Sequence, residues 1–459
     1  MEQNLQETYR KQVDFFASGA TKTISFRKNA LKKLQQALKQ EEKQIYEALH
    51  QDLSKSNFEA FLTEYHVITD ELDDYINNVE KWSRPKTVLP SLLNFPSTAH
   101  IYKEPYGNVL IISPWNYPFQ LALGPLIGAV AAGNTVILKP SEFSRATSQL
   151  LCSLVNKSFD PEHVAVIQGD AQVSRQLTSL QWDYIFFTGS TQVGKKVYEA
   201  AAKNLTPVTL ELGGKNPCVV HESADVAIAA RRIVWGKFLN AGQTCIAPDY
   251  ILVHESIRTQ LLEQLELNIK SFYGENPRLS PDYSRIIRKE HLEGLVKMLQ
   301  DVTIYHGGNY DLDELYLAPT LLENVDREHP SMQDEIFGPI LPVISYTSKN
   351  EIEEWIHSYG KSLGGYCFTE DKNFRKWFIG NFSFGGGVIN DSIVQFVNKR
   401  LPFGGVGKSG IGSYHGKKTF EVFSHAKSVV HRRTWLDITL KYPPFKGKLK
   451  KIKTLLKWT

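Results

Sequence analysis

The sequence predicts an α/β protein of two or three domains built on open parallel sheets, on three grounds. At 459 residues the chain exceeds what one hydrophobic core normally supports. From Ile101 onward, short apolar runs alternate with stretches of helical periodicity, the pattern of right-handed βαβ units with helices on both sheet faces. Before that point, residues 1 to about 84 carry apolar side chains at three- and four-residue spacing, a helical lead-in.

The lead-in holds two periodic runs, SFRKNALKKLQQALKQEEKQIYEALHQDL and EAFLTEYHVITDELDDYINNVEKW. SRPKTVLPSLLNFPSTAH then interrupts with three prolines, which donate no backbone hydrogen bond. NVLIIS reads as a strand, FQLALGPLIGAVAA as a helix, TVILK as a strand and ATSQLLCSLVNKSF as a helix. VAVIQG and YIFFTG follow as strands, with KKVYEAAAKNL as the helix behind the second. A second βα series is expected from near Pro207 to about Arg400. The last part, LPFGGVGKSGIGSYHGKKTFEVFSHAKSVVHRR, is glycine-rich and then extended.

Composition narrows the class. Hydrophobic residues make up 42% and charged residues 22%, an ordinary soluble balance. Cys152, Cys218, Cys245 and Cys367 are widely spaced, with no CxxC pair and no metal-ligand rhythm, so free thiols in a reducing cytoplasm are expected and no metal. The N-terminus lacks a secretory apolar core, and LALGPLIGAVAAG is too short and broken to span a bilayer. Lys441 to Thr459 carries seven lysines and no acid; taken from 53 basic residues, these leave 46 against 49 acidic ones. The body therefore offers no nucleic-acid surface. In the tail Leu449, Ile452, Leu455 and Leu456 recur at helical spacing among the lysines. It reads as a solvated or chain-packed terminus, with contact to an anionic membrane surface as the alternative.

In an open parallel sheet, ligands bind beyond the carboxyl ends of the strands. After NVLIIS comes PWNYP with Asn116, an oxyanion donor or the closer of an Asx turn. After TVIL comes KPSE; Lys139 and Glu142 could grip ribose hydroxyls, or Ser141 could cap a helix. After YIFF comes TGSTQVG, where Gly189, Ser190, Thr191, Gln192, Val193 and Gly194 form a turn into a helix. Such a turn offers N–H groups to a pyrophosphate, or is simply a connection. Glu211, at the end of VTLEL and before two glycines, is a general-base candidate.

Cys245 lies in NAGQTCIAPDY, a Gly-containing loop before the strand-like run Tyr250 to His254. Cytosolic cysteines are mostly small buried hydrophobes. Of the four, only Cys245 sits among Gly, Gln and Thr in a loop; its activation must come from backbone dipoles or from residues that folding brings near.

PWNYP, GNTVILKPSE, FTGSTQVG, ELGGKNP, GQTC, EIFGP and PFGGVGKSG stand in an order that resembles the aldehyde dehydrogenase superfamily, over nearly the whole chain to about His431. QTCIAPDYIL, SYHGKKTFEVFSHAKSVV and the KYPPF tail look most like the class 3 branch, which includes fatty and aromatic aldehyde dehydrogenases. The resemblance implies a Rossmann-type cofactor domain, an α/β catalytic domain and a small β oligomerisation arm. On this chain they correspond to 1–84 with 101–207, to 208–400, and to 85–100 with 401–432, followed by a basic tail at 433–459.

The same resemblance implies roles. Cys245 would attack the aldehyde, Asn116 and the Cys245 N–H would hold the oxyanion, and Glu211 would activate the water that hydrolyses the thioester. Lys139 and Glu142 would bind the adenosine ribose, the Gly189–Gly194 turn would approach the pyrophosphate, and Glu335 with Phe337 would position the nicotinamide end. Glu211 favours hydrolysis over transfer to CoA. Glu142 favours NAD, with NADP left open, and a homodimer is implied. Tyr117, Trp235, Phe238 and Phe396 are candidates for an apolar tunnel suited to medium, long or aromatic aldehydes. A polar semialdehyde as substrate, or a non-catalytic cofactor-binding scaffold, are the alternatives.

Overall fold

The computed structural model describes residues 2–91 and 94–456. Met1, residues 92 and 93 of the Pro-rich stretch, and Lys457 to Thr459 of the tail lie outside the described residues. The strands are β1 (Lys86–Val88), β2 (Ser97–Pro105), β3 (Asn108–Ile112), β4 (Thr135–Lys139), β5 (Val164–Val166), β6 (Tyr184–Thr188) and β7 (Val208–Glu211). Next come β8 (Pro217–Val220), β9 (Tyr250–His254), β10 (Thr303–His306), β11 (Tyr310–Asp311), β12 (Tyr316–Leu317), β13 (Thr320–Glu323) and β14 (Ile340–Tyr346). The series ends with β15 (Gly364–Phe368), β16 (Gly386–Ile389), β17 (Gly410–Ile411) and β18 (Ser424–Arg432).

These strands form a six-stranded sheet in the order β17-β7-β6-β3-β4-β5 and a seven-stranded sheet in the order β10-β13-β14-β9-β8-β15-β16. A three-stranded sheet, β1-β2-β18, and the short β11-β12 pair complete the list among the described residues. In the first sheet β3, β4 and β6 are buried at every position, the continuous apolar texture of parallel strands covered on both faces. Alternation divides their side chains. Val109, Ile111, Val136 and Leu138 pack beneath the N-terminal helices and helix Gln120–Ala132. Leu110, Ile112, Ile137, Ile185 and Phe187 face Val173 and Leu177 of helix Ala171–Thr178 and Val197 of helix Thr191–Ala202.

The chain runs outward from β3 to β4 and β5, then returns to place β6 beside β3. The order therefore reverses between β3 and β6, where an open α/β sheet has its ligand crevice. Register sets the carboxyl ends level, with Ile112 opposite Lys139 and Phe187, and Thr188 opposite Glu211.

Two expected boundaries move. The first sheet does not stop at residue 207, because β7 pairs in parallel with β6 and buries Thr209, Leu210 and Glu211. Gly410–Ile411, expected in the arm, pairs antiparallel with β7. A short apolar run fits either sheet, so its texture does not reveal which sheet it joins.

The close approach of helix Gln120–Ala132 to helix Lys417–Val422 requires Gly128. A Cβ there would lie 2.4 Å from Thr419 Cγ2 and 3.1 Å from the Tyr75 hydroxyl. Gly128→Ala is expected to destabilise the fold by about 1–3 kcal/mol through overpacking, less the ~1 kcal/mol gained in helix propensity. Urea denaturation measures the difference.

Candidate active site

The crevice between β3 and β6 is lined by polar groups that the chain itself leaves unmatched. Ser113 Oγ, just past β3, and Thr188 Oγ1, at the end of β6, are buried without hydrogen-bond partners among the described residues. Beside them helix Thr191–Ala202 begins, with Ser190 as its cap accepting from Val193 N at 3.4 Å. Gly189 and Gly194 let this turn sit tightly, since a Cβ on either would come within 2.6 Å of Phe187 or Leu212. Lys139 is buried and donates to Glu142 Oε2 at 2.6 Å, while Glu142 reaches solvent. Ser141 does not cap the next helix. That helix starts at Arg145, and its Ala146 and Thr147 N–H groups donate to Asp52 at 3.0 and 2.8 Å. A carboxylate from a distant helix thus takes the cap, leaving Lys139 and Glu142 at the crevice.

The Cys245 loop is fixed from several sides. Asn240, Ala241 and Gly242 are consecutively left-handed, with φ of 54°, 50° and 75°. Gly242 is obligatory here, because a Cβ would meet the Gly338 carbonyl oxygen at 2.3 Å. Asn216 Nδ2 donates to the carbonyls of Cys245 and Ala247, each at 2.9 Å, and the Tyr366 hydroxyl donates to Ile246 O. Asn240 N donates to Glu59 Oε1 at 2.9 Å. Asn116 does not close a turn of its own; its Nδ2 donates to Gln243 O at 3.0 Å, leaving one amide hydrogen free for an oxyanion. Asn116 thereby adjoins the Cys245 loop, and Glu211 lies within electrostatic reach of Cys245.

Burial sets the charge state. Glu211 is buried, with both oxygens unpartnered among the described residues, and desolvation pushes its carboxyl well above the usual range. Burial, then the Glu335 and Glu211 charges, push the half-buried Cys245 thiol up, while the N–H groups of Cys245 and Ile246 act in the opposite direction. Glu335 enters beside Gly213, whose missing Cβ leaves it room, and burial raises it to about 8 despite the Gly214 N–H and Lys215. Phe337 lies within reach of the same loop at φ 52°, held by His291 Nε2 donating to its carbonyl at 2.8 Å and by Trp115 at 5.3 Å between ring centres.

Several important residues carry no local sequence signal. Lys215 donates to Asp249, which accepts from Ile336 N at 3.0 Å, so one ion pair ties the strand after Glu211 to the Glu335 loop. Lys237 is fully buried with Nζ unpartnered among the described residues, and desolvation lowers it to about 8. Lys55 pairs with Glu64 at 2.5 Å in full burial and donates to Asn116 O at 3.2 Å. Glu64 also accepts from Phe119 N and Gln120 N, capping helix Gln120–Ala132. Of the aromatic candidates, Tyr117 bonds Thr244 at 2.7 Å beside the nucleophile, and Trp235 and Phe396 are half-buried. Phe238 is a core residue at 1% exposure and not a tunnel wall. Tyr414, packed on Phe186 and Phe403, stands electrostatically close to both Glu211 and Cys245.

Two consequences can be measured. Glu64→Ala leaves the Lys55 ammonium buried and unpaired, an expected loss of about 3–5 kcal/mol in urea denaturation. For Glu335, both folded and unfolded states are protonated below pH 4.5. Between there and about 8 only the unfolded state releases its proton, so this group lowers stability as pH rises. Glu335→Gln is expected to remove that slope, gaining in melting temperature over the parent progressively from pH 5 to 8.

Residues 3–429 match the aldehyde dehydrogenase family. The chain is 48% identical over 445 residues to 4,4'-diaponeurosporen-aldehyde dehydrogenase of Staphylococcus aureus, covering 96% of this chain and 97% of that one. It is 42% identical over 448 residues to the dimeric NADP-preferring aldehyde dehydrogenase of Rattus norvegicus, covering 97% and 99%. Among solved structures it superposes on the substrate-bound state of Staphylococcus aureus AldH with a TM-score of 0.97 at 46% identity, over 98% of this chain and 99% of that one. With its cysteine, carboxyl and amide groups gathered at the ligand edge of a doubly wound sheet, the chain belongs to the aldehyde dehydrogenase family, NAD(P)-using oxidoreductases.

Proposed function

We propose that the protein oxidises apolar aldehydes to carboxylic acids through a thioester on Cys245. What supports this reading is a buried Glu211, unpartnered among the described residues, within electrostatic reach of a loop-held Cys245, together with the second amide hydrogen of Asn116. Cys245 Sγ attacks the carbonyl carbon, and its proton passes to Glu335 or Glu211 in the ionised form and from there to solvent before hydrolysis. The Asn116 amide and the Cys245 N–H hold the oxyanion of the thiohemiacetal. NAD(P), when bound, supplies the hydride acceptor, and loss of hydride from the former aldehyde carbon leaves the thioester. Glu211 then takes a proton from water as the water oxygen attacks the thioester carbonyl. The carboxylic acid departs and the thiol is restored.

A dinucleotide suits the orphaned hydroxyls of Ser113 and Thr188 and the helix start at Ser190. Lys139 and Glu142 would hold the adenosine ribose, the turn from Gly189 through Ser190, Thr191, Gln192 and Val193 to Gly194 the pyrophosphate, and Glu335 with Phe337 the nicotinamide end. Glu142 opposes a 2′-phosphate, which places NAD first.

An apolar substrate accords with Tyr117 beside the nucleophile, with the half-buried Trp235 and Phe396 packed on the same apolar cluster as Cys245, and with the aldehyde for which the Staphylococcus aureus relative is named. A homodimer accords with the outer edge of nine-residue β18, unpaired among the described residues and exposed over most of its length, and with the name of the rat relative. We assign the six-stranded sheet to the cofactor domain, the seven-stranded sheet to the catalytic domain and β1-β2-β18 to the oligomerisation arm.

Reduced-cofactor formation with aldehydes from short aliphatic to long-chain and aromatic tests the reading. Turnover is expected to favour apolar aldehydes and to vanish in Cys245→Ala; no turnover with any aldehyde, in protein that binds NAD, would leave only the scaffold alternative. Because burial raises both Cys245 and Glu211, kcat/KM is expected to increase with pH from neutral toward 9. Glu142→Gln is expected to raise the NADP/NAD ratio of kcat/KM by roughly tenfold, since a facing like charge is removed.

A further inference from the structure

Beyond β18 the chain continues as a basic segment that the reaction does not use. Arg433 N donates to Pro96 O at 2.8 Å, linking the segment to the arm. It then folds on itself. Lys448 Nζ donates to Tyr442 O at 2.8 Å and to Thr439 O at 3.4 Å, and the Tyr442 hydroxyl donates to Asp437 at 3.1 Å. Helix Leu449–Leu456 follows.

Residues 432–456 include Arg432, Arg433, Lys441, Lys446, Lys448, Lys450, Lys451 and Lys453, against one acid, Asp437. That acid is engaged by Arg432 at 3.3 Å. The six lysines form no ion pair among the described residues, and all but the half-buried Lys448 are exposed. The rest of the chain is close to neutral, so the charge is confined to this surface. The same segment exposes Trp435 at 72%, Phe445 at 66% and Leu449 at 64%, and the apolar stripe of the helix continues through half-buried Ile452.

Clustered lysines alone would suit any polyanion. Lysines interleaved with uncovered aromatic and aliphatic side chains suit a surface that is anionic outside and apolar a few ångströms below, which is a bilayer interface. Tryptophan is a residue type of that boundary, with an apolar ring and one N–H to keep wet. We propose that residues 432–456 form a docking surface for bilayers containing anionic lipid, with the lysines over the headgroups and Trp435, Phe445 and Leu449 at the interface. Docking brings the reaction site to aldehydes dissolved in lipid, a use that rests on the proposed substrate class; the docking itself does not.

Co-sedimentation of the full chain with vesicles tests this, using mixed phosphatidylglycerol–phosphatidylcholine against pure phosphatidylcholine. Two variants accompany the parent, Lys450→Glu/Lys451→Glu/Lys453→Glu and Trp435→Ser/Phe445→Ser. The parent is expected to bind the mixed vesicles at least about tenfold more tightly than the pure ones, and the charge-reversed variant to lose at least about tenfold. The aromatic variant is also expected to weaken, and both to keep the parent's turnover of a soluble short aldehyde. Absence of binding to mixed vesicles, or unchanged binding in both variants, would overturn the proposal. So would competition by a DNA duplex with the aromatic variant unaffected, which marks a plain polyanion contact. No oxidation is read in the vesicle assay, so its failure leaves the dehydrogenase reading intact, and a docking protein without turnover fails only that reading.

Discussion

The carbonyls and amides of the loop from Asn240 to Ala247 are held by side chains from four separate parts of the chain, and this constraint decides where Cys245 points. Asn116 comes from the turn after β3, Asn216 from the approach to β8, Tyr366 from β15 and Glu59 from the short helix Asn57–Ala60. The loop needs such support because three left-handed residues in succession are costly without it. Each of these partners depends in turn on something further away. Asn116 is held by Lys55, Lys55 by Glu64, and Glu64 by the N-terminus of helix Gln120–Ala132. The nucleophile therefore reports the integrity of both large sheets and of the helical lead-in together.

Precise placement comes with desolvation. Cys245, Glu211, Glu335 and Lys237 are all shifted toward their neutral forms by burial. With the thiol and both carboxyls protonated none can take a proton from another, so a carboxyl must ionise before it serves as a base, which ties the chemistry to pH. Lys215 and Asp249, kept as an ion pair, give that site a fixed electrostatic frame.

How much of this could be read from the sequence follows from range. The alternation of strands and helices is local, and Tyr250–His254 forms the strand its apolar run suggests. The strand-end rule placed Asn116, Lys139, Glu211 and the Gly189–Gly194 turn at one edge, because every βα unit points its strand ends the same way. Sheet membership of Val208–Glu211 was not legible, since it depends on pairing with Tyr184–Thr188 and Gly410–Ile411. Lys55, Glu64, Lys215, Lys237 and Asp249 were invisible for another reason. Charged residues are rarely buried, so each alone reads as surface, and only its partner across the fold reveals otherwise. Ser141 failed as a cap because Asp52, on another helix, already fills that role.

In the proposed reaction Cys245 carries the acyl group and Glu211 removes it. Mass analysis of Glu211→Gln protein, quenched after one exposure to NAD and an apolar aldehyde, is the decisive measurement. An acyl group is expected on Cys245, adding the mass of the aldehyde less two hydrogens, in about one copy per chain. An unmodified Cys245 after cofactor reduction, or an acyl group on Cys152, Cys218 or Cys367 instead, would contradict it.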